Sequence, residues 1–178
     1  MSDRHPLVKV LKTRAKSPMY KVLFRQATSY GSSAKLLSEL VLVSNNPDFV
    51  APVLMCKVFA VELLLKFFLV VDYRKIYSRK DLETHHISFK GPFEHEYEAL
   101  FDRIPRKHRT AIIKAFSKIV AKATSEKEFC VILSAFEDGF IKWRYIHEEE
   151  HQKFLGMRLL GQIGDALWSY ANLQVLRN

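Results

Sequence analysis

The run His147-Glu148-x-x-His151 matches the zinc-binding pattern H-E-x-x-H. On a helix the two histidines would lie on one face and hold the metal, and Glu148 would act as a general base. A zinc hydrolase needs a third protein ligand, yet beyond position 151 the sequence has no histidine or glutamate and one aspartate, Asp165. Two further glutamates fill the x positions, so we favour an exposed charged turn and keep zinc hydrolysis as the third hypothesis.

An arginine followed within a few positions by a histidine is a second arrangement that can do chemistry. The arginine can stabilise the scissile phosphate of RNA while the histidine transfers the 2′-hydroxyl proton. Arg144 and His151 have this spacing, and His147 is the alternative acid or base. The spacing alone does not identify a ribonuclease, because other pairs fit as well: Arg103 with His108, and Arg79 with His85 or His86.

Two charged residues, Glu62 and Lys66, lie inside the most apolar part of the chain, Val58–Val71. This run of 14 residues is too short for a transmembrane span, which needs about 20 residues, and it predicts a buried core helix. Residues at i and i+4 meet on a helix, and buried charges need partners. Arg144, in the aromatic and basic stretch Phe140–Tyr145, is the predicted partner of Glu62.

Positive charge is concentrated near the N-terminus. Of the formal net charge of +9, residues 1–25 carry +6, with seven basic residues and one acidic residue. We interpret them as a basic arm that is either a solvated terminus or a segment that contacts phosphates. The candidate nucleic-acid contacts are in this arm and on a predicted helix that ends near Thr124: Lys9, Lys12, Arg14, Lys16, Lys114, Lys118 and Lys122. The last three recur at i, i+4 and i+8 and form a predicted ladder on the exposed side of that helix.

The elements that would position these residues are helical almost throughout. Ser32-Ser33 is the predicted start of the first helix, and the apolar residues that follow it include Leu36 and Leu40. The turn Asn45-Asn46-Pro47-Asp48 is its predicted end, and Ser125-Glu126-Lys127-Glu128 has the S-x-x-E spacing of a capping box for a later helix. Residues 72–93 lose the helical period and predict a loop, with a possible extended piece at 86–90. The sequence therefore predicts an all-α fold: residues 26–178 form a single bundle of five or six helices.

The composition excludes other classes and cofactors. The chain is 48% hydrophobic, which excludes intrinsic disorder, and its two cysteines cannot build a disulfide framework. A reducing, cytoplasmic location is expected. No glycine-rich phosphate loop occurs, and we expect no cofactor, no metal and no membrane span. Cys56 and Cys130 lie in apolar helical contexts and are interpreted as core thiols.

Three segments in order resemble the HEPN (higher eukaryotes and prokaryotes nucleotide-binding) domain superfamily. They are Phe59–Lys66, with A-x-E-x-x-x-K spacing, His95–Phe101, and Phe140–Tyr145. The resemblance covers residues 32–175 and implies an up-and-down helical bundle that often dimerises. It also implies RNA binding or metal-independent ribonuclease activity, often in a toxin–antitoxin or phage-defence system.

The resemblance assigns roles to particular residues. Arg144 and His151 match the arginine and histidine that meet across the dimer in active members. A buried polar cluster is expected to contain Glu62, Lys66, His95 and Arg144. The partners it implies are RNA, a second copy of the chain, and a cognate antitoxin or nucleotidyltransferase. The alternative is a non-catalytic helical module for interaction or regulation.

Overall fold

The computed structural model describes residues 18–69, 71–79, 82–90, 95–136 and 156–176. Within these residues the chain forms six α-helices, a short 3-10 turn and one β-hairpin. The helices are α1 (Pro18–Ser44), α2 (Val50–Phe67), α3 (Tyr97–Arg103), α4 (Arg106–Ile119), α5 (Glu126–Ser134) and α6 (Met157–Leu176). The prediction of a helical bundle is confirmed.

Helix α1 begins earlier than the sequence suggested. Its first residue is Pro18, whose missing N–H costs nothing in a first turn, and Ser32-Ser33 lies in its middle. Leu23 is buried, and Phe24 packs against the core. The predicted boundary at residue 25 is therefore wrong for residues 18–25, which belong to the bundle. Removing residues 1–25 would take Leu23 and Phe24 out of the core, and residues 1–17 lie outside the described residues.

The segment predicted as a loop contains two antiparallel strands, β1 (Val71–Arg79) and β2 (Leu82–Lys90). Val71 pairs with Lys90, and the register is unbroken to Arg79 opposite Leu82. Residues that favour β structure occur in both strands: β1 contains Val71, Ile76 and two tyrosines, and β2 contains Thr84, Ile87 and Phe89. The possible extended piece at 86–90 is confirmed as part of β2. The loop prediction was wrong for the rest of the two strands, because loss of the helical period was taken as loss of regular structure. Helix α2 ends at Phe67, not at Val71.

Helix α2 is the centre of the bundle and packs against α1, α3 and α6. Its buried residues surround the helix axis, as the sequence pattern predicted, and include Val58, Val61, Leu64 and Leu65. Helix α4 packs on α6 and α3 packs on α5. Three rings join α3, α4 and α5, because Phe129 lies 5.0 Å from both Phe101 and Phe116 between ring centroids.

Local signals explain several boundaries. The predicted end of α1 at Asn45-Asn46 is confirmed: Asn45 has a positive φ of 51°, and the Asn46 side chain accepts the N–H of Asp48 at 2.9 Å. The predicted capping box at α5 is also confirmed. Glu128 N–H donates to the Ser125 hydroxyl, and Ser125 N–H donates to the Glu128 carboxylate.

One glycine is required by its surroundings. Gly156, directly before α6, has a φ of 139°, and a Cβ on it would lie 2.8 Å from a ring carbon of Phe136. The two residues that flank residues 137–155 are thus in contact. The predicted residues Arg144, His147 and His151 lie within 137–155, outside the described residues.

Candidate functional site

The apolar helix α2 positions the carboxylate of Glu62, which contacts two basic side chains. Glu62 is 7% exposed, and its Oε1 accepts a hydrogen bond from Lys66 Nζ at 2.7 Å. The same oxygen lies 3.0 Å from His95 Nδ1, which comes from the segment before α3. The structure therefore brings together Glu62, Lys66 and His95. The fourth expected member, Arg144, lies outside the described residues.

The two partners of Glu62 differ in exposure, and so in what they can do. The Lys66 side chain is 14% exposed and compensates a buried charge, while the His95 side chain is 76% exposed. An imidazole held through Nδ1 against a carboxylate has a fixed tautomer when neutral, with Nε2 free to accept a proton. His95 is therefore the described histidine whose geometry suits proton transfer at the surface.

Tyr97 closes the inner side of this cluster. Its hydroxyl donates to the carbonyl of Val58 at 2.8 Å and is buried. Burial and then the negative charge of Glu62 raise the pKa of Tyr97, so the phenol stays protonated. Tyr97 therefore anchors α3 to α2, and it also fixes the position of His95 two residues earlier in the chain.

The second candidate site is the outer face of α4. The helix reads RKHRTAIIKAFSKI, with five lysines and arginines and no acidic residue. Lys107, Lys114 and Lys118 are exposed and recur at helical spacing along one face. We call these three residues the α4 stripe. The sequence reasoning missed Lys107, although its position seven residues before Lys114 was a usable signal.

The predicted ladder Lys114, Lys118 and Lys122 is corrected in its last member. Helix α4 ends at Ile119, and Ala121 has a positive φ of 54°, so Lys122 does not continue the helical face. Its Nζ lies 3.7 Å from the Glu128 carboxylate. Lys9, Lys12, Arg14 and Lys16 lie outside the described residues.

Arg109 belongs to α4 but not to its free basic face. Its Nη1 donates to the carbonyl of Asp102 at 2.7 Å, and its Nε lies 2.8 Å from the Glu126 carboxylate, although the N–H is not aligned with that oxygen. We assign this contact to an ion pair and not to a hydrogen bond. Arg109 therefore fastens α4 to the end of α3 and to α5.

A histidine and a tyrosine meet between α4 and α6. His108 Nδ1 lies 2.9 Å from the Tyr170 hydroxyl, and the ring of Phe68 packs against both. Burial and then the positive charge of Lys107 lower the pKa of His108, so the imidazole is neutral at pH 7. The two residues are 62 positions apart, so no local sequence pattern could predict their contact.

Three further side chains of reactive type, one lysine and two cysteines, have structural roles or are protonated. Lys57 on α2 donates to the carbonyl of Met157 at 3.1 Å; burial lowers its pKa, and Asp165 opposes that shift. Burial raises the pKa of Cys56 and Cys130, so both thiols are protonated at neutral pH. The hydrogen bond from Lys57 to Met157 joins α2 to α6.

The described residues contain neither a metal-ligand cluster nor a membrane-spanning helix. Among those residues, no three histidine, cysteine, aspartate or glutamate side chains lie together as a metal site would require. None of the helices traced in the same ranges combines the length and hydrophobicity needed to cross a bilayer. The H-E-x-x-H run lies outside them.

The chain matches no protein-family model, no curated protein and no solved structure.

Proposed function

We propose that this chain is a cytoplasmic RNA-binding domain of HEPN type, an up-and-down bundle that works as a homodimer. The observation that carries the proposal is the α4 stripe, Lys107, Lys114 and Lys118, on a helix without acidic residues. These lysines have no acidic partner among the described residues, and lysines that contact phosphates release the counterions condensed on a nucleic acid, which favours binding to a polyanion. Free cysteines fit the cytoplasm.

The proposed activity is metal-independent cleavage of RNA. By its resemblance to the HEPN superfamily, Arg144 would stabilise the charge on the scissile phosphate. His151 would be the acid or base, and His147 is the alternative. The described surface adds one proton-transfer group, His95, oriented by the buried carboxylate of Glu62. In a toxin–antitoxin or phage-defence setting, the cognate antitoxin or nucleotidyltransferase would hold this activity in check.

Binding is tested with a fluorescent single-stranded RNA, by measuring the affinity over a range of salt concentrations. The variant Lys107→Ala/Lys114→Ala/Lys118→Ala should lower the slope of log affinity against log salt by about 2, since each lost contact to single-stranded RNA removes roughly 0.7. The matched control, Lys21→Ala/Lys35→Ala/Lys127→Ala, removes the same charge from exposed positions on α1 and α5. Equal losses in the two variants would show that α4 has no special role.

Cleavage is tested by RNA degradation in the presence of EDTA. The wild type should remain active, and Arg144→Ala, His151→Ala and His95→Gln should each reduce the rate. Wild-type protein that binds RNA but leaves it intact would remove the catalytic part of the proposal. Activity that EDTA abolishes, with stoichiometric zinc in the purified protein, would support the H-E-x-x-H hypothesis instead.

The second candidate function is a non-catalytic module that acts by protein interaction. It is favoured by the outer face of α1, where Leu36, Leu40 and Val43 are 63%, 47% and 87% exposed. Large apolar side chains exposed together on one face are typical of interaction surfaces.

A further inference from the structure

Helix α1 is apolar on two opposite faces. Ala27 and Ala34 lie on its inner face and are 1% and 3% exposed. Leu36, Leu40 and Val43 recur at i, i+4 and i+7 on the other face and point away from the bundle. We call these three residues the α1 ridge. Because these three side chains are largely exposed among the described residues, the ridge is available to a partner.

The N-terminal half of the same face of α1 is concave, whereas the ridge projects. A shallow groove of about 530 Å³ is lined by residues of α1, mainly small or polar ones: Val22, Arg25, Gln26, Ser29, Tyr30 and Ser33. We call this the α1 groove. Ridge and groove follow one seam with spacings of three and four residues, and from Val22 to Val43 it covers three heptads.

We propose that two copies of this chain dimerise through α1, antiparallel about a two-fold axis, with the ridge of each copy in the groove of the other; this rests on the homodimer of the proposed function and assigns its interface. A two-fold axis places one patch on itself, so the patch must be complementary to itself. When Ser29 faces Ser33 of the second copy, Leu36 faces Gln26 and Leu40 faces Val22, so large side chains meet the groove.

Charge supports the same register. Arg25 and Glu39 are exactly two heptads apart on one flank of the seam, and both are exposed. Antiparallel helices place equal flanks against each other, so Arg25 of each copy faces Glu39 of the other, and two ion pairs form. Neither residue makes an ion pair with another residue of the described ranges.

One polar group at the centre of the proposed interface already has its hydrogen-bond partner within α1. The Ser29 hydroxyl donates to the carbonyl of Arg25 at 3.0 Å, so covering it leaves no unsatisfied donor. Small side chains at this point also let two helices approach closely. The α1 ridge and the α4 stripe lie on different helices, so substitutions in one leave the residues of the other unchanged, and dimerisation and RNA binding can be tested separately.

The experiment measures the mass of the full chain by sedimentation velocity over a concentration series. Wild type should be a dimer, and Arg25→Glu or Glu39→Arg should each raise the dissociation constant about tenfold at low salt, because two attractive pairs become repulsive. The charge swap Arg25→Glu/Glu39→Arg should return the constant to within about threefold of wild type. Lys35→Glu, which lies off the seam, should leave it unchanged.

A second pair of variants tests the ridge. Leu36→Asp/Leu40→Asp should be monomeric and folded by circular dichroism, whereas Leu173→Asp, at a 49% exposed position on α6, should remain dimeric. A monomeric wild type, or a ridge variant that stays dimeric, would overturn the proposal. So would two single charge variants that dissociate and a charge swap that does not restore the dimer.

Discussion

Helices α2 and α4 both carry charged residues, but those of α2 are partly or fully buried and those of the α4 stripe are exposed. The charges of α2, at Lys57, Glu62 and Lys66, are at least partly buried, and each has a described partner. On α4, the α4 stripe is exposed, and none of its three lysines has an ion pair within the described ranges.

This difference in burial separates the charges that stabilise the fold from those that are available to a ligand. A buried charge without its partner costs several kcal/mol, so the α2 residues are constrained by their neighbours. An exposed lysine contributes little to stability, so it can be used for binding at almost no cost to the fold. Substitutions on the two helices should therefore separate stability from RNA affinity.

The largest effect is expected for Glu62→Gln. The change leaves the ammonium of Lys66, on a side chain only 14% exposed, without its counter-charge. The free energy of unfolding should fall by about 3 kcal/mol, near the lower end for a broken buried pair because some solvent reaches Lys66. Urea denaturation measures it, and the matched control is Glu96→Gln, at an exposed position beside α3. Equal stability of the two variants would contradict the assignment of Glu62 as a buried structural charge.

An intermediate effect is expected at α5, where a charge is exposed but its carboxylate is fixed by the backbone. Ser125 N–H and its hydroxyl both donate to Glu128, and these bonds lower the pKa of that carboxyl. Ser125→Ala should reduce the free energy of unfolding by about 1 kcal/mol through loss of the cap. Lys122→Ala removes the weak ion pair and should change stability less. If the two changes were equal, the ion pair would matter as much as the cap.

A smaller effect that depends on pH is expected from His108, the half-buried member of α4. Because burial lowers its pKa, the folded protein takes up this proton at lower pH than the unfolded chain does. Its contribution to stability is therefore present above a pH of about 6.5 and is lost as the pH falls through the unfolded and then the folded pKa.

The measurement for His108 is thermal unfolding at about pH 8 and about pH 5, on either side of the ordinary histidine pKa. His108→Gln should narrow the difference between the two midpoints relative to wild type. His95→Gln is the control for the loss of a histidine from the surface. A His108→Gln variant with the wild-type pH dependence would show that this proton uptake is not coupled to folding.

Much of the bundle could be predicted because its signals are local. The unbroken apolar residues of α2, the turn at Asn45 and the capping box at Ser125 each lie within a few positions, and all three are confirmed. The pairing of Glu62 with Lys66 is equally local, since one helical turn separates them.

The remainder depended on features that local patterns do not determine. Lys122 was expected to continue a helical face, but Ala121 turns the backbone before it. Residues 18–25 were assigned to an arm because their charge outweighed the apolar positions Leu23 and Phe24. The contact of His108 with Tyr170 depends on how α4 packs on α6, which no short window contains.

The smallest effect on stability is expected from substitution of the α4 stripe. This prediction distinguishes α4 from α2 most clearly, because only RNA affinity should change. Lys107→Ala/Lys114→Ala/Lys118→Ala removes three exposed charges without described partners, so the free energy of unfolding should change by no more than about 0.5 kcal/mol. The same variant should bind RNA less tightly than Glu62→Gln does, once both are compared at a temperature where both are folded. If the lysine variant were instead the less stable protein, with RNA affinity unchanged, the charges of α4 would serve the fold, as those of α2 do.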